Sequence, residues 1–280
     1  MTQLEDEFGD ILKKARTGLG LTLNQLSART GIPAGLLEEM EAYRFIPSDA
    51  EMDTIAGELG LNAHKLKDIA NGKWHPVEWD WSGDDLSDVV IIDGLAGSYK
   101  VNGYLLMDKV NGLAVVFDTG NDSKKVLETL KSHGMKLTYI FLTHGHFDHT
   151  GGLREICRVT GAGIGITEGE DDIELENDIK KNVFTVKSGS GFKTGLLEIK
   201  AVATPGHTPG STCYLAGNHC FSGDTIFAGS VGRAYNMAGY KSLLESVRRE
   251  ILSLDGRVHI LPGHGPASTV GEEILHNPFF

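Results

Sequence analysis

Residues 143–149 read Thr143-His144-Gly145-His146-Phe147-Asp148-His149, directly after the apolar run Leu137-Thr138-Tyr139-Ile140-Phe141-Leu142. A buried strand that ends in three imidazoles and a carboxylate presents a cluster of donors suited to a divalent metal. More donors follow, each in a glycine-rich turn. His207 lies in Thr204-Pro205-Gly206-His207-Thr208-Pro209-Gly210, Asp224 in Ser222-Gly223-Asp224-Thr225, and His264 in Pro262-Gly263-His264-Gly265-Pro266. His144, His146, Asp148, His149, His207, Asp224 and His264 are seven candidate ligands, enough for two metal ions. Histidine has no packing reason to recur in loops at strand ends. The other histidines, His64, His75, His133, His219, His259 and His276, read as structural or surface residues. Asp118, in Phe117-Asp118-Thr119-Gly120, also ends a strand. It either accepts a hydrogen bond from a ligand histidine or caps its own turn.

The pattern changes near residue 75. Before it, Leu4, Phe8, Ile11, Leu12 and Ala15 recur at helical spacing. Thr22 with Gln25, and Ser48 with Glu51, are capping-box pairs, and Asn62 is a third N-cap. The spacing predicts helices at about 4–17, 22–30, 33–42, 48–59 and 62–70. Residues 73–85 carry Trp74, Trp79 and Trp81 and read as a linker strapped onto the surface. From residue 86 the periods shorten to strand length, as in Val89-Val90-Ile91-Ile92, Tyr104-Leu105-Leu106-Met107 and Leu113-Ala114-Val115-Val116-Phe117. The acidic stretch 168–180 reads as a solvated face. Strands mixed with helices imply sheet packed on sheet with helices outside, an α+β architecture for residues 86–280. A small all-α domain over residues 1–72 precedes it.

Charge and composition narrow the setting. The formal net charge of −12 over 280 residues disfavours nonspecific attraction to nucleic acid or anionic membrane. No apolar run approaches the roughly 20 residues that span a bilayer. Met1-Thr2-Gln3-Leu4-Glu5-Asp6-Glu7 lacks the basic and apolar regions of a signal peptide, so the cytoplasm is expected. Cys157, Cys213 and Cys220 are widely spaced, which fits a reducing compartment and core thiols rather than disulfides.

The four donor-bearing motifs, in this order, resemble the metallo-β-lactamase superfamily over about residues 85–280. That resemblance implies an αβ/βα sandwich. It assigns His144, His146 and His207 to one ion, Asp148, His149 and His264 to a second, and Asp224 to a bridge. It also implies a hydroxide held between two divalent ions, zinc first with iron or manganese as options, as the nucleophile. Asp148 and Asp224 are then the catalytic carboxylates. The tail Gly271-Glu272-Glu273-Ile274-Leu275-His276-Asn277-Pro278-Phe279 and the run Ser222 to Arg233 are similar to the short glyoxalase II-like hydrolases, which cleave thioesters. Those hydrolases continue after the arginine with a small hydroxyl residue and an acid, whereas this chain has Ala234-Tyr235. Arg233 and Tyr235 are the expected substrate-binding pair, with Arg233 facing a substrate carboxylate. An alternative within the superfamily is the iron-dependent persulfide dioxygenase. There two histidines and one aspartate hold a single iron, a set that His144, His207 and Asp224 could supply.

The stretch Leu23-Asn24-Gln25-Leu26-Ser27-Ala28-Arg29-Thr30-Gly31-Ile32 resembles the helix-turn-helix of Cro/repressor-type regulators. That resemblance offers a second functional class, a transcriptional regulator whose metal domain senses a metabolite. Its reading helix, however, carries Ala34, Gly35, Glu38 and Glu39, and residues 1–73 hold eight basic against twelve acidic residues. Phosphate contacts dominate DNA affinity, so charge disfavours DNA as a partner. A small-molecule substrate and a second copy of the chain, met through Leu36, Leu37 and Met40, are the expected partners. With every candidate ligand downstream, residues 1–72 are expected to be dispensable for the metal domain.

Overall fold

The computed structural model describes residues 3–78, 87–96, 99–170, 173 and 175–280. Trp79, Trp81, Asp171, Asp172 and Glu174 therefore lie outside the described residues. Five helices come first: α1 (Phe8–Gly18), α2 (Leu23–Thr30), α3 (Ala34–Glu41), α4 (Asp49–Leu59) and α5 (Ala63–Ala70). Their starts follow local chemistry. Thr22 Oγ1 accepts from Gln25 N–H at 3.2 Å while Gln25 Oε1 accepts from Thr22 N–H at 2.8 Å. Ser48 and Glu51 repeat the exchange at the start of α4, and Asn62 Oδ1 caps α5 through Lys65 N–H.

Two six-stranded sheets follow. β1 (Ser87–Ala96), β2 (Tyr99–Asp108), β3 (Leu113–Phe117), β4 (Lys136–Phe141), β5 (Gly163–Thr167) and β6 (Val183–Val186) lie side by side in chain order. The first three are antiparallel and the rest parallel. The crossover from β3 to β4 runs through α6 (Ser123–Ser132). That from β4 to β5 runs through the single turn α7 (Phe147–Thr150) and α8 (Leu153–Thr160). The second sheet uses β7 (Gly191–Thr194), β8 (Leu197–Ala203), β9 (Thr212–Ala216), β10 (His219–Gly223), β13 (His259–Pro262) and β14 (Ser268–Thr269). A hairpin of β11 (Ile226–Phe227) and β12 (Ser230–Val231) leaves β10, and α9 (Met237–Ser246) and α10 (Val270–His276) flank β13 and β14. Strands β5, β6 and β7 lacked a clear period in the sequence.

Period-two alternation builds the sandwich. Tyr104, Leu106, Val115, Phe117 and Phe141 point from the first sheet toward Ile199, Ala201, Tyr214, Phe221 and Leu261 of the second. Phe117 stacks on Phe221 with ring centroids 3.8 Å apart. Leu105, Met107 and Val116 point the other way and bury against α6 and α8.

The N-terminal helices join the core that lies on the outer side of the second sheet. Cys213, Cys220 and Ile260 of that sheet share one core with Tyr240, Leu243 and Val247 around α9 and with Ile11, Ala15, Met40, Ile55 and Leu66 of α1–α5. Polar contacts pin the same interface. Asn62 N–H donates to Pro278 O at 2.7 Å, and Lys65 Nζ donates to the carbonyls of Ile274 and Phe280. Trp74 is buried, and its ring stacks on His276 with centroids 5.0 Å apart. The expectation that residues 1–72 are dispensable conflicts with this shared core. The acidic stretch also departs from expectation, because Glu170 and Ile179 are both buried.

Candidate metal centre

The strand ends carry the donors to one place. β4 delivers Thr143 to His149, the turn after β8 delivers His207, β10 ends beside Asp224, and β13 ends beside His264. His144, His146 and His207 each bring one donor atom within 4.8 Å of the others, and Asp148, His149 and His264 form a second group on the same criterion. Asp224 lies between the groups. Its Oδ2 is 3.5 Å from His207 Nε2 and 3.7 Å from His264 Nε2, and its Oδ1 is 3.3 Å from His149 Nε2.

Hydrogen bonds set which nitrogen each imidazole presents. His207 Nδ1–H donates to Arg233 O at 2.7 Å and His264 Nδ1–H to Lys100 O at 2.5 Å. A carbonyl can only accept, so Nε2 of both rings is left bare and turned inward. His149 Nδ1 donates to Asp118 Oδ2 at 2.8 Å. His144 Nδ1 donates to Thr143 Oγ1 at 3.0 Å, because that hydroxyl gives its own proton to Asp118. His146 is the exception. Its Nδ1 faces the centre, 3.1 Å from His144 Nε2 and 3.0 Å from His207 Nε2.

Asp118 resolves the choice left open by its turn. Both its oxygens are used, accepting from Thr143 N–H, Thr143 Oγ1–H and His149 Nδ1–H. It holds a left-handed backbone, with φ +53°, which few non-glycine residues adopt outside tight or functional turns. Its role is to orient the histidine loop.

Burial and charge act together at the centre. Burial works to raise the Asp224 carboxyl, yet His149, His207 and His264 hold it well below the usual carboxylate range. Burial, then the neighbouring imidazole of His149, pushes His144 well below its ordinary value and keeps it a neutral donor. His149 Nε2 and Asp224 Oδ1 are buried and make no hydrogen bond. Unsatisfied donors and acceptors of this kind, enclosed by further donors, fit a site for divalent metal.

The other expected site residues lie at the rim. Tyr235 is 63% exposed, and its ring centroid is 6.2 Å from those of both His146 and His207. The Arg233 guanidinium sits over the Tyr235 ring at 5.4 Å. Two further residues escaped the sequence reading. Phe227 places its ring edge against His264 and carries Lys14 of α1 over its face. Glu170 grips two of the donor loops. No sequence signal set Glu170 apart from the other acids of its stretch.

Residues 97–264 match the family model described as the metallo-beta-lactamase superfamily. The probable metallo-hydrolase YqgX of Bacillus subtilis is 29% identical over 199 residues, spanning 65% of this chain and 93% of its own. The hydroxyacylglutathione hydrolase GloC of Haemophilus influenzae is 26% identical over the same shares. The crystal structure of TTHA1623 in a di-iron-bound form superposes with a TM-score of 0.55 at 27% identity, covering 68% of this chain and all of that one. Two sheets joined face to face, donors collected at their strand ends, and a family match over more than half of its length establish that this chain belongs to the metallo-β-lactamase superfamily.

Proposed function

We propose that this protein is a metal-dependent hydrolase of an acyl-glutathione-like thioester, acting through two divalent ions. The observation that carries the reading is Asp224, whose single carboxylate stands within 3.3–3.7 Å of imidazoles from both donor groups. His144, His146 and His207 would hold one ion, Asp148, His149 and His264 the other, and Asp224 both. Bound there, the metal supplies an ionised water at neutral pH and a Lewis acid for the carbonyl. The chain's own residues do the rest. Asp118 and Thr143 fix the ring planes, so the donors need no rearrangement when substrate arrives. Asp148 and Asp224, both held below the usual carboxylate range despite burial, stay ionised as anionic donors to the metal. Arg233, braced on Tyr235 at the rim, can pair with a substrate carboxylate. Water adds to the thioester carbonyl, the carbon–sulfur bond breaks, and a carboxylic acid and a thiol leave. GloC's name as a hydroxyacylglutathione hydrolase supports the substrate class.

Zinc is the first metal to test, with iron and manganese beside it. The purified chain is expected to hold close to two metal equivalents by elemental analysis. Asp224→Ala should lose most of that metal and lower kcat/KM on a thioester by more than about 100-fold. A fully metallated protein that releases no thiol from any thioester, yet forms sulfite from a persulfide in its iron form, would replace this reading with the dioxygenase one.

A further inference from the structure

Glu170 belongs to neither donor group, yet it touches the loops that carry all three histidines of the first one. Its side chain is buried at 8% exposure, in a stretch whose other described acids, Glu168, Glu176 and Asp178, are exposed. Glu170 Oε2 accepts from Gly145 N–H at 2.7 Å. Glu170 Oε1 accepts from Gly210 N–H at 3.0 Å and from the Thr208 hydroxyl. Gly145 separates His144 from His146, and Thr208 directly follows His207. One carboxylate thus ties two loops about 60 residues apart, and its bonds are of the charge-assisted kind.

The glycines at both contacts point to the same role. A Cβ on Gly145 would stand 2.8 Å from Glu170 Oε2, and one on Gly210 would stand 2.8 Å from Glu170 Oε1. Neither glycine has a positive φ. Close packing, by Glu170 with Ile173 at Gly145 and by Glu170 with the Glu168 carbonyl at Gly210, and not an unusual backbone angle, is what excludes a side chain there.

We propose that Glu170 is a positioning residue that straps the His144–His146 loop to the His207 loop and sets the first donor triad before metal binds. The inference rests on reading that triad as a metal site. A preformed triad binds metal without the cost of ordering two loops, so loss of the strap should appear as weaker metal affinity more than as weaker chemistry.

The test is competition between the full-length protein and a chromophoric chelator, with zinc as the probe. Glu170→Ala is expected to weaken zinc binding by about 10–100-fold, with much of kcat recovered at saturating zinc. Glu170→Gln keeps an acceptor for Thr208 and Gly210 but turns an amide N–H₂ toward Gly145 N–H. It should fall between the wild type and Glu170→Ala. Amide exchange at Gly145 in the metal-free protein should speed up in the same order. Should Glu170→Ala misfold, the near-isosteric Glu170→Gln carries the test alone. Wild-type zinc affinity and unchanged Gly145 exchange in a folded Glu170→Gln protein would overturn the strap while leaving the metal site standing. A wild-type chain that binds no zinc, iron or manganese would overturn both.

Discussion

Glu273 shows how one buried group can set a pH dependence for the whole protein. It is fully buried on α10 and accepts from Gly229 N–H and from Asn277 Nδ2. Burial pushes its carboxyl up from the ordinary 4.5 to about 7. Between those values the folded protein keeps a proton that the unfolded chain has released. Stability from this group therefore falls as pH rises from 4.5 to about 7, and is level above that. The total is of the order of 3 kcal/mol. Glu273→Gln keeps an acceptor for Gly229 and removes the titration, so it should be the more stable protein at pH 8 and near parity at pH 4.5. Urea unfolding at both pH values measures the gap, and equal curves throughout would refute the buried-proton account. The glutamate was visible in the tail motif, but its burial was not, since nothing local says which of Glu272 and Glu273 faces inward. The seven donors were legible as a set because imidazoles clustered at strand ends have no packing purpose. Which ring nitrogen faces inward was not legible, because His207 and His264 present Nε2 only through partners, Arg233 O and Lys100 O, far along the chain.

The starts of α2, α4 and α5 were readable from the sequence, since their caps are completed within four residues, whereas α1 has no side-chain cap and begins at Phe8, not near residue 4. Thr269 and Glu272 complete another at the start of α10 that the sequence reading passed over. Where a helix docks was not readable. α1 ends on Gly18, where an added Cβ would lie 2.4–2.9 Å from ring atoms of Tyr240 on α9. A residue with any side chain must push the two helices apart. Gly18→Ala is expected to cost about 1–3 kcal/mol by overpacking, read as a lower Tm, and Tyr240→Leu in the same protein should return part of it. Fully additive losses would show that the two residues do not share this contact. One turn before Gly18, Lys14 donates to Val231 O at 2.9 Å, pairs with the buried Asp6 and lies over Phe227. The helix therefore reaches the hairpin that borders His264.

At the scale of the molecule, the N-terminal helices and the second sheet are two sides of one apolar core. Removing residues 1–72 would uncover apolar surface on α9, where Tyr240 meets Gly18, and strip the bonds to Pro278, Ile274 and Phe280. The truncated chain is expected to aggregate or to unfold without a cooperative transition, as followed by circular dichroism and light scattering. A truncated monomer with the full-length Tm would show that the sandwich stands alone. The helix-turn-helix reading is tested separately. Glu38 is exposed on α3, and Arg44 is already paired with Glu39. Anisotropy titration with duplex DNA at about 100 mM salt should give no Kd tighter than about 1 μM. A sequence-dependent Kd below that would reveal a reading surface elsewhere on the bundle. Among the described residues no helix is long and apolar enough to cross a membrane. By itself the sequence determined what is chemically local: the donor cluster at the end of β4, the glycine-rich turns that expose the later donors, the helix caps and the alternation that makes strands two-faced. Only the tertiary structure decided which loops meet, which ring nitrogen faces the centre, that Glu170 spans two of those loops, and that α1–α5 join one core with α9 and α10. Each of these depends on contacts between residues tens to hundreds of positions apart, and such contacts are selected by the packing of the whole chain, not by any neighbouring residue.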